Sequence, residues 1–305
     1  MKMIKHWVFA AALTFAGFAH ADEKPQPAPA APAAAAAPAY PALFVARDAD
    51  STLYLFGTMH IRRPGGEWGG PVAQAALAEA DEVWTEMEIA ENTQSEVQAL
   101  VLSAGMAPAD RPLSSWLNKD QRAELAAALQ HLGASPAVFE RMRPWLAAMT
   151  LSVMPLMQQG YDPAAGADRA VIGAAGDARQ RAFETAAEQI GFFANLSDTA
   201  QRQYLMDTIN TATGGSDEID QLSHAWESGD LERLETLVLD SFRARYPELH
   251  QVIFTQRNHN WTETLVAELD GAGVDFVAVG AGHLLGDDGV VALLRARGVD
   301  VERAE

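Results

Sequence analysis

The order of segments along the chain limits its fold more than any other feature: strand-like stretches lie toward both ends, and helical periodicity fills the long middle. Ala42–Arg47 and Thr52–Phe56 read as strands around the turn-forming Asp48-Ala49-Asp50-Ser51. Glu82–Ile89 alternates Val83, Thr85, Met87 and Ile89 against Trp84, which predicts a half-buried strand. Helical spacing dominates from Asn92 to Gln159, most clearly over Asp120–Leu132 and Trp145–Gln158, with a kink expected at Pro155. Asp168–Ala175 reads as a short helix, Arg181–Glu184 as a strand, and Ala186 to about Asp270 as helical. Val274–Val279, Asp288–Arg297 and Val299–Arg303 then read as strand, helix and strand. This order predicts an α/β fold: a mixed β-sheet formed by N- and C-terminal strands, with the helical middle packed over it. An α/β core with a separate helical subdomain near residues 90–160 fits the pattern equally.

The first 41 residues read as lying outside that fold. Lys2 and Lys5 precede an apolar run, Trp7–Ala19, and Ala19-His20-Ala21 offers small residues where a signal peptidase reads them. The run is short for a bilayer span. Residues 1–21 are therefore expected to be a cleaved signal peptide, leaving a periplasmic or secreted protein with no transmembrane segment. Residues 22–41 hold nine Ala and six Pro, the composition of a disordered tether. The remaining unit spans residues 42–305.

Composition enters by what it removes. The 305 residues include no cysteine, so disulfides, thiol nucleophiles and cysteine-held zinc are excluded. The formal charge of −19 becomes −21 without Lys2 and Lys5, against a nucleic-acid partner. Any catalysis must rely on His, carboxylates, hydroxyls or a metal that they hold.

Two segments share one form. Leu53-Tyr54-Leu55-Phe56-Gly57-Thr58-Met59-His60 runs from an apolar strand through Gly to His, and Val277-Ala278-Val279-Gly280-Ala281-Gly282-His283 repeats it. The Gly-x-x-His spacing alone is weak, since Gly17-Phe18-Ala19-His20 matches it too. The strand context sets the other two apart. A Gly at a strand end permits a sharp turn or close approach, and the His then projects at the carboxyl edge, where α/β proteins place their sites. If the two strands are neighbours, the imidazoles converge; otherwise they are unrelated loop histidines.

Other candidates each have a plain alternative. Glu86 and Glu88 lie two apart near a strand end, either as an exposed polar face or as cation ligands. Glu184 precedes a helix and can cap it or serve a site. Arg257 can grip a substrate carboxylate, but an internal acid is its more ordinary partner. His131, His224, His250 and His259 lack partners at ligand spacing. No phosphate-binding Gly loop, His-Glu-x-x-His helix or nucleophile elbow is present.

Taken in order, Phe56–His60, Glu86-Met87-Glu88, Phe183-Glu184-Thr185 with Glu188-Gln189, Arg257-Asn258 and Val279–Leu284 resemble the TraB/GumN family, to which the eukaryotic Tiki proteins are related. Gly289–Gly298 resembles the usual family ending. The resemblance implies an α/β fold with the two histidine segments adjacent. Through the Tiki members it implies a metal-dependent protease acting on a peptide or protein. His60, Glu86 and His283 would then hold a divalent cation such as Mn, Co or Zn. Glu86, Glu184 and Arg257 would be catalytic: a carboxylate accepts the proton of water, and Arg257 stabilises the oxyanion or grips substrate. Asp168 matches a further family Asp. Glu88, Phe183 and Gln256 depart from the usual Asp, Leu and Glu. Two rival expectations are a non-catalytic envelope binding or accessory protein related to conjugation or exopolysaccharide, and a metal- or haem-binding protein.

Overall fold

The computed structural model describes residues 40–88, 94–212 and 217–304. The signal-peptide reading lies outside the described residues, as does the tether reading up to residue 39. Among the described residues six strands form one sheet: β1 (Leu43–Arg47), β2 (Ser51–Thr58), β3 (Glu82–Met87), β4 (Arg179–Glu184), β5 (Gly273–Gly280) and β6 (Val301–Arg303), in the spatial order β4-β3-β5-β2-β1-β6. The β1–β2 hairpin closes because the Asp48 carboxylate accepts the amides of Asp50 and Ser51. β6 pairs antiparallel with the outer side of β1. The four remaining strands, β2, β5, β3 and β4, run parallel, so their carboxyl ends share one edge.

Helices cover both faces. Ala42, Phe44, Leu53, Leu55, Val277 and Val279 pack against Trp261, Leu265 and Leu269 of the Gln256–Leu269 helix and against Val290, Val291 and Leu294. The opposite face, with Leu43, Phe56, Val83, Phe276 and Ala278, shares one apolar cluster with the helical middle, including Trp145, Phe193 and Trp226. Two middle helices start on reciprocal caps: Asn118 with Gln121, and Thr185 with Glu188. The Pro144–Gln158 helix continues through Pro155. Among the described residues no helix is long and apolar enough to cross a membrane.

The sandwiching changes the reading of β3. Its alternation predicts one buried face, yet Val83, Trp84, Thr85, Glu86 and Met87 are all buried, because the strand is central and covered on both sides. The strand ends at Met87, and Glu88 is exposed beyond it.

Candidate functional site

Parallel register explains how the two histidine segments meet. Gly57 pairs with Val279 and Thr58 with Gly280, so both segments leave the sheet side by side at its carboxyl edge. His60 lies two residues beyond the end of β2, and His283 sits on the short 3-10 turn Ala281–Leu284. β3 ends between β5 and β4 with Glu86 as its penultimate residue; Glu184 closes β4, opposite Met87. The Gln256–Leu269 helix brings Arg257, Asn258 and Trp261 to the same edge. Gly280 serves close approach rather than a left-handed turn, its φ being −50°. A Cβ there would lie 3.1 Å from both Glu86 Oε1 and His60 Nε2.

Glu86 is the centre of the arrangement. Its Oε1 accepts the Gly280 amide at 2.8 Å and faces His60 Nε2 at 3.4 Å and His283 Nε2 at 3.8 Å. Its Oε2 accepts Arg257 Nη2 at 2.6 Å. Behind His60, Nδ1 faces Asp168 Oδ1 at 3.5 Å, and each of these buried atoms lacks a hydrogen bond. Behind His283, Nδ1 meets Asn258 Oδ1 at 2.6 Å. Trp261 and Phe254 pack on the His283 ring, with centroids 4.4 and 4.9 Å away.

Arg257 is committed to internal partners. Nε and Nη2 bind the two oxygens of Glu184 at 2.7 and 2.8 Å, Nη2 also binds Glu86, and Nη1 reaches Ile253 O and His283 Nε2. These contacts account for all five of its N–H groups. The ordinary sequence reading of Arg257, pairing with an internal acid, thus describes its geometry, and no donor remains directed at a ligand. Glu184 is equally occupied, accepting Trp261 Nε1 at 2.9 Å and Gln189 Nε2 at 3.0 Å besides the guanidinium.

The electrostatics follow. Burial opposes charge on His60, but Asp168 and then Glu86 outweigh it and raise its pKa to about 10. Burial likewise opposes ionisation of Glu86, yet Arg257 and then His60 hold its carboxyl well below the usual range. Burial raises Glu184 in spite of its Arg257 pair. Burial, reinforced by the Arg257 charge, holds His283 well below an ordinary imidazole and therefore neutral.

The structure thus brings together His60, Glu86, Glu184, Arg257, His283 and Asp168, and leaves Glu88 outside. Gln256, one of the three family departures, is exposed, and its neighbour Arg257 is oriented by the carboxylates. Phe183, another departure, stacks between Trp84 and Trp261. Sequence reasoning gave no role to Asn258, Gln189, Trp261 or the Gly280 amide. Trp261 was within reach of pattern, lying four residues and one helical turn beyond Arg257.

His60, Glu86 and His283 do not bring three ligand atoms within 4.8 Å of one another, so a cation held by all three would have to draw them together. Two imidazole Nε2 atoms face one carboxylate oxygen, and an acceptor lies behind each ring, which is how histidine ligands are commonly oriented. Three acidic side chains, Glu86, Glu184 and Asp168, face two basic ones, His60 and Arg257. A cation at these histidines would require His60 to release its proton and Arg257 Nη1 to leave His283 Nε2. Elsewhere Glu82, Glu268 and Asp275 bring three carboxylate oxygens within 4.8 Å of one another at the opposite sheet edge, where Arg179 and Arg181 already pair with Glu82.

The family model described as TraB/PrgY/gumN matches residues 42–303. The chain is 26% identical over 208 residues to a protein described as uncharacterized protein YbaP of Escherichia coli (strain K12), covering 65% of this chain and 76% of that one. A protein of the same description from Shigella flexneri matches to the same extent. No solved structure matches the chain.

Proposed function

The chain belongs to the TraB/PrgY/gumN family, and from that premise we propose that its site is a metal-dependent hydrolytic centre acting on peptide bonds. One observation carries the reading: both histidines present Nε2 to Glu86 Oε1 while an acceptor lies behind each ring. In this reading His60, Glu86 and His283 hold the cation, with Mn, Co and Zn all compatible with imidazole and carboxylate donors. When bound, such an ion supplies a water of lowered pKa.

The chain's own groups do the rest. Glu86 stays ionised under Arg257, whereas burial pushes Glu184 upward; in this reading Glu184 accepts a proton only after one of its four donors, two from Arg257 and one each from Trp261 and Gln189, lets go. Arg257 holds the two carboxylates in place, a positioning role in which it need not touch substrate. His60 is the most open of the three proposed ligands, with 17% of its side chain exposed against 11% for Glu86 and 1% for His283. The expected export signal would place this activity in the periplasm or outside the cell.

A second reading, a non-catalytic binding protein, is favoured by the completeness of the internal pairing around Arg257. Incubating the chain with a peptide library and Mn²⁺, Co²⁺ or Zn²⁺ separates the two. Cleavage that disappears in His60→Ala and His283→Ala supports the hydrolase. Absence of cleavage with every cation, or cleavage unchanged in both variants, overturns it.

A further inference from the structure

A second layer of polar contacts stands behind His283 and reaches a loop that no motif singles out. Asn258 is 1% exposed; its Nδ2 donates to the Asp288 main-chain carbonyl at 2.8 Å while its Oδ1 meets His283 Nδ1 at 2.6 Å. A carbonyl only accepts, so this contact fixes which end of the amide is which. An amide oxygen against His283 Nδ1 requires a proton on Nδ1, and Nε2 then carries the lone pair. The opposite tautomer would set an N–H of Nε2 against the N–H of Arg257 Nη1, 3.2 Å away.

The Asp288 carbonyl is itself anchored through its side chain. Oδ1 accepts Arg243 Nη2 at 2.9 Å and Oδ2 accepts Thr255 Oγ1 at 2.7 Å. Thr255 ends the π-helical turn Gln251–Thr255, directly before the helix that bears Arg257 and Asn258. His250 Nδ1 lies 3.3 Å from the same hydroxyl; that hydroxyl's one proton goes to Asp288, so His250 donates. The Asp288 side chain therefore joins the loop after His283 to the helix that supports His283.

We infer that Asp288 is a positioning residue for the site: clamped by Thr255 and Arg243, it fixes the carbonyl that orients Asn258, and Asn258 holds His283 with Nδ1 protonated and Nε2 free. The inference rests on the proposed reading in which His283 offers Nε2 to a cation, but its first readout needs neither cation nor activity.

The test is nitrogen-15 NMR of histidine-labelled full chain in EDTA, followed by Co²⁺ titration. In the unsubstituted chain His283 should show a protonated Nδ1 and an unprotonated Nε2. Asp288→Ala should bring the two nitrogen shifts toward each other and weaken Co²⁺ binding by about 10–100-fold, the usual effect of losing an outer partner. Asp288→Asn keeps an oxygen for Thr255 and should restore both readouts. Thr255→Val removes only the hydroxyl and gives a smaller change in the same direction, which serves if Asp288→Ala does not fold. A protonated Nε2 in the unsubstituted chain, or folded variants with unchanged His283 shifts, would overturn the inference. If no form of the chain binds Co²⁺, the hydrolase reading fails and the NMR shifts alone decide the role of Asp288.

Discussion

Arg257 and Glu184 form a two-point pair, Nε to Oε1 at 2.7 Å and Nη2 to Oε2 at 2.8 Å, and the same guanidinium reaches Glu86 on the neighbouring strand. One planar fork thereby ties together the carboxyl ends of β3 and β4. Two carboxylates at these depths are tolerable only with such a partner, since an unpaired buried charge costs several kcal/mol. Arg257→Ala is expected to lower stability by about 3–5 kcal/mol. Arg257→Lys should recover little of it, because a single ammonium cannot match the two-point geometry. Urea unfolding at pH 7 measures both; full recovery by Lys would argue against the fork.

The His60 shift sets a pH window. Its folded pKa is raised from 6.5 to about 10, so its stabilising contribution is complete below about pH 6.5 and is lost as the pH rises toward 10. Glu86 is depressed, so its contribution is present above its ordinary value of 4.5 and is lost as the pH falls below it. With chelator present, the urea midpoint should form a plateau near pH 5–6.5 and decline on the alkaline side. His60→Gln should flatten that alkaline decline. An alkaline limb unchanged by the substitution would contradict the pairing of His60 with Asp168 and Glu86.

Two glycines of one short stretch should respond oppositely to alanine. A Cβ on Gly166 would lie 2.5 Å from the His60 carbonyl and 2.6 Å from Asp168 Oδ1, so something must shift. Gly166→Ala is expected to cost about 1–3 kcal/mol and to displace His60 from Asp168. Gly173 lies inside the Ala167–Ala174 helix with nothing within 4 Å of its virtual Cβ. Gly173→Ala should stabilise by about 0.5–1 kcal/mol. Thermal denaturation of the two variants checks the contrast.

At the opposite edge of the sheet, Asp275 is raised to about 6, by burial first and then by Glu268, Glu82 and Asp81. A carboxyl raised on folding favours the native state least when it is charged, so this penalty appears as the pH rises from about 4 through 6. Asp275→Asn should therefore raise the urea midpoint at pH 7.5 and leave it nearly unchanged at pH 4. An equal gain at both pH values would show that charge crowding is not the cause.

Much of the frame was legible in the sequence. The strands β1, β2 and β5 lie within two residues of the sequence reading, because turn chemistry at Asp48 and a glycine at the end of β5 mark their ends. The convergence of His60 and His283 was foreseen only on the condition that β2 and β5 are neighbours, and the parallel register supplies that neighbour relation. Glu86 was harder. An alternating strand reads as having a wet face, and nothing local reveals that the Gln256–Leu269 helix covers it. Asn258 as the partner of His283, and Asp288 as the partner of Asn258, were invisible, because tertiary hydrogen bonds between residues 25 and 30 positions apart leave no trace in spacing.

The most direct test of the cation centre is titration of the chain with Co²⁺, followed by visible absorption and proton release. The account predicts one tight Co²⁺ per chain, with a proton leaving His60 on binding. That binding should be lost in His60→Ala and in His283→Ala and retained in Glu82→Gln. Tight Co²⁺ binding that survives both histidine substitutions, or that is lost only in Glu82→Gln, would contradict it.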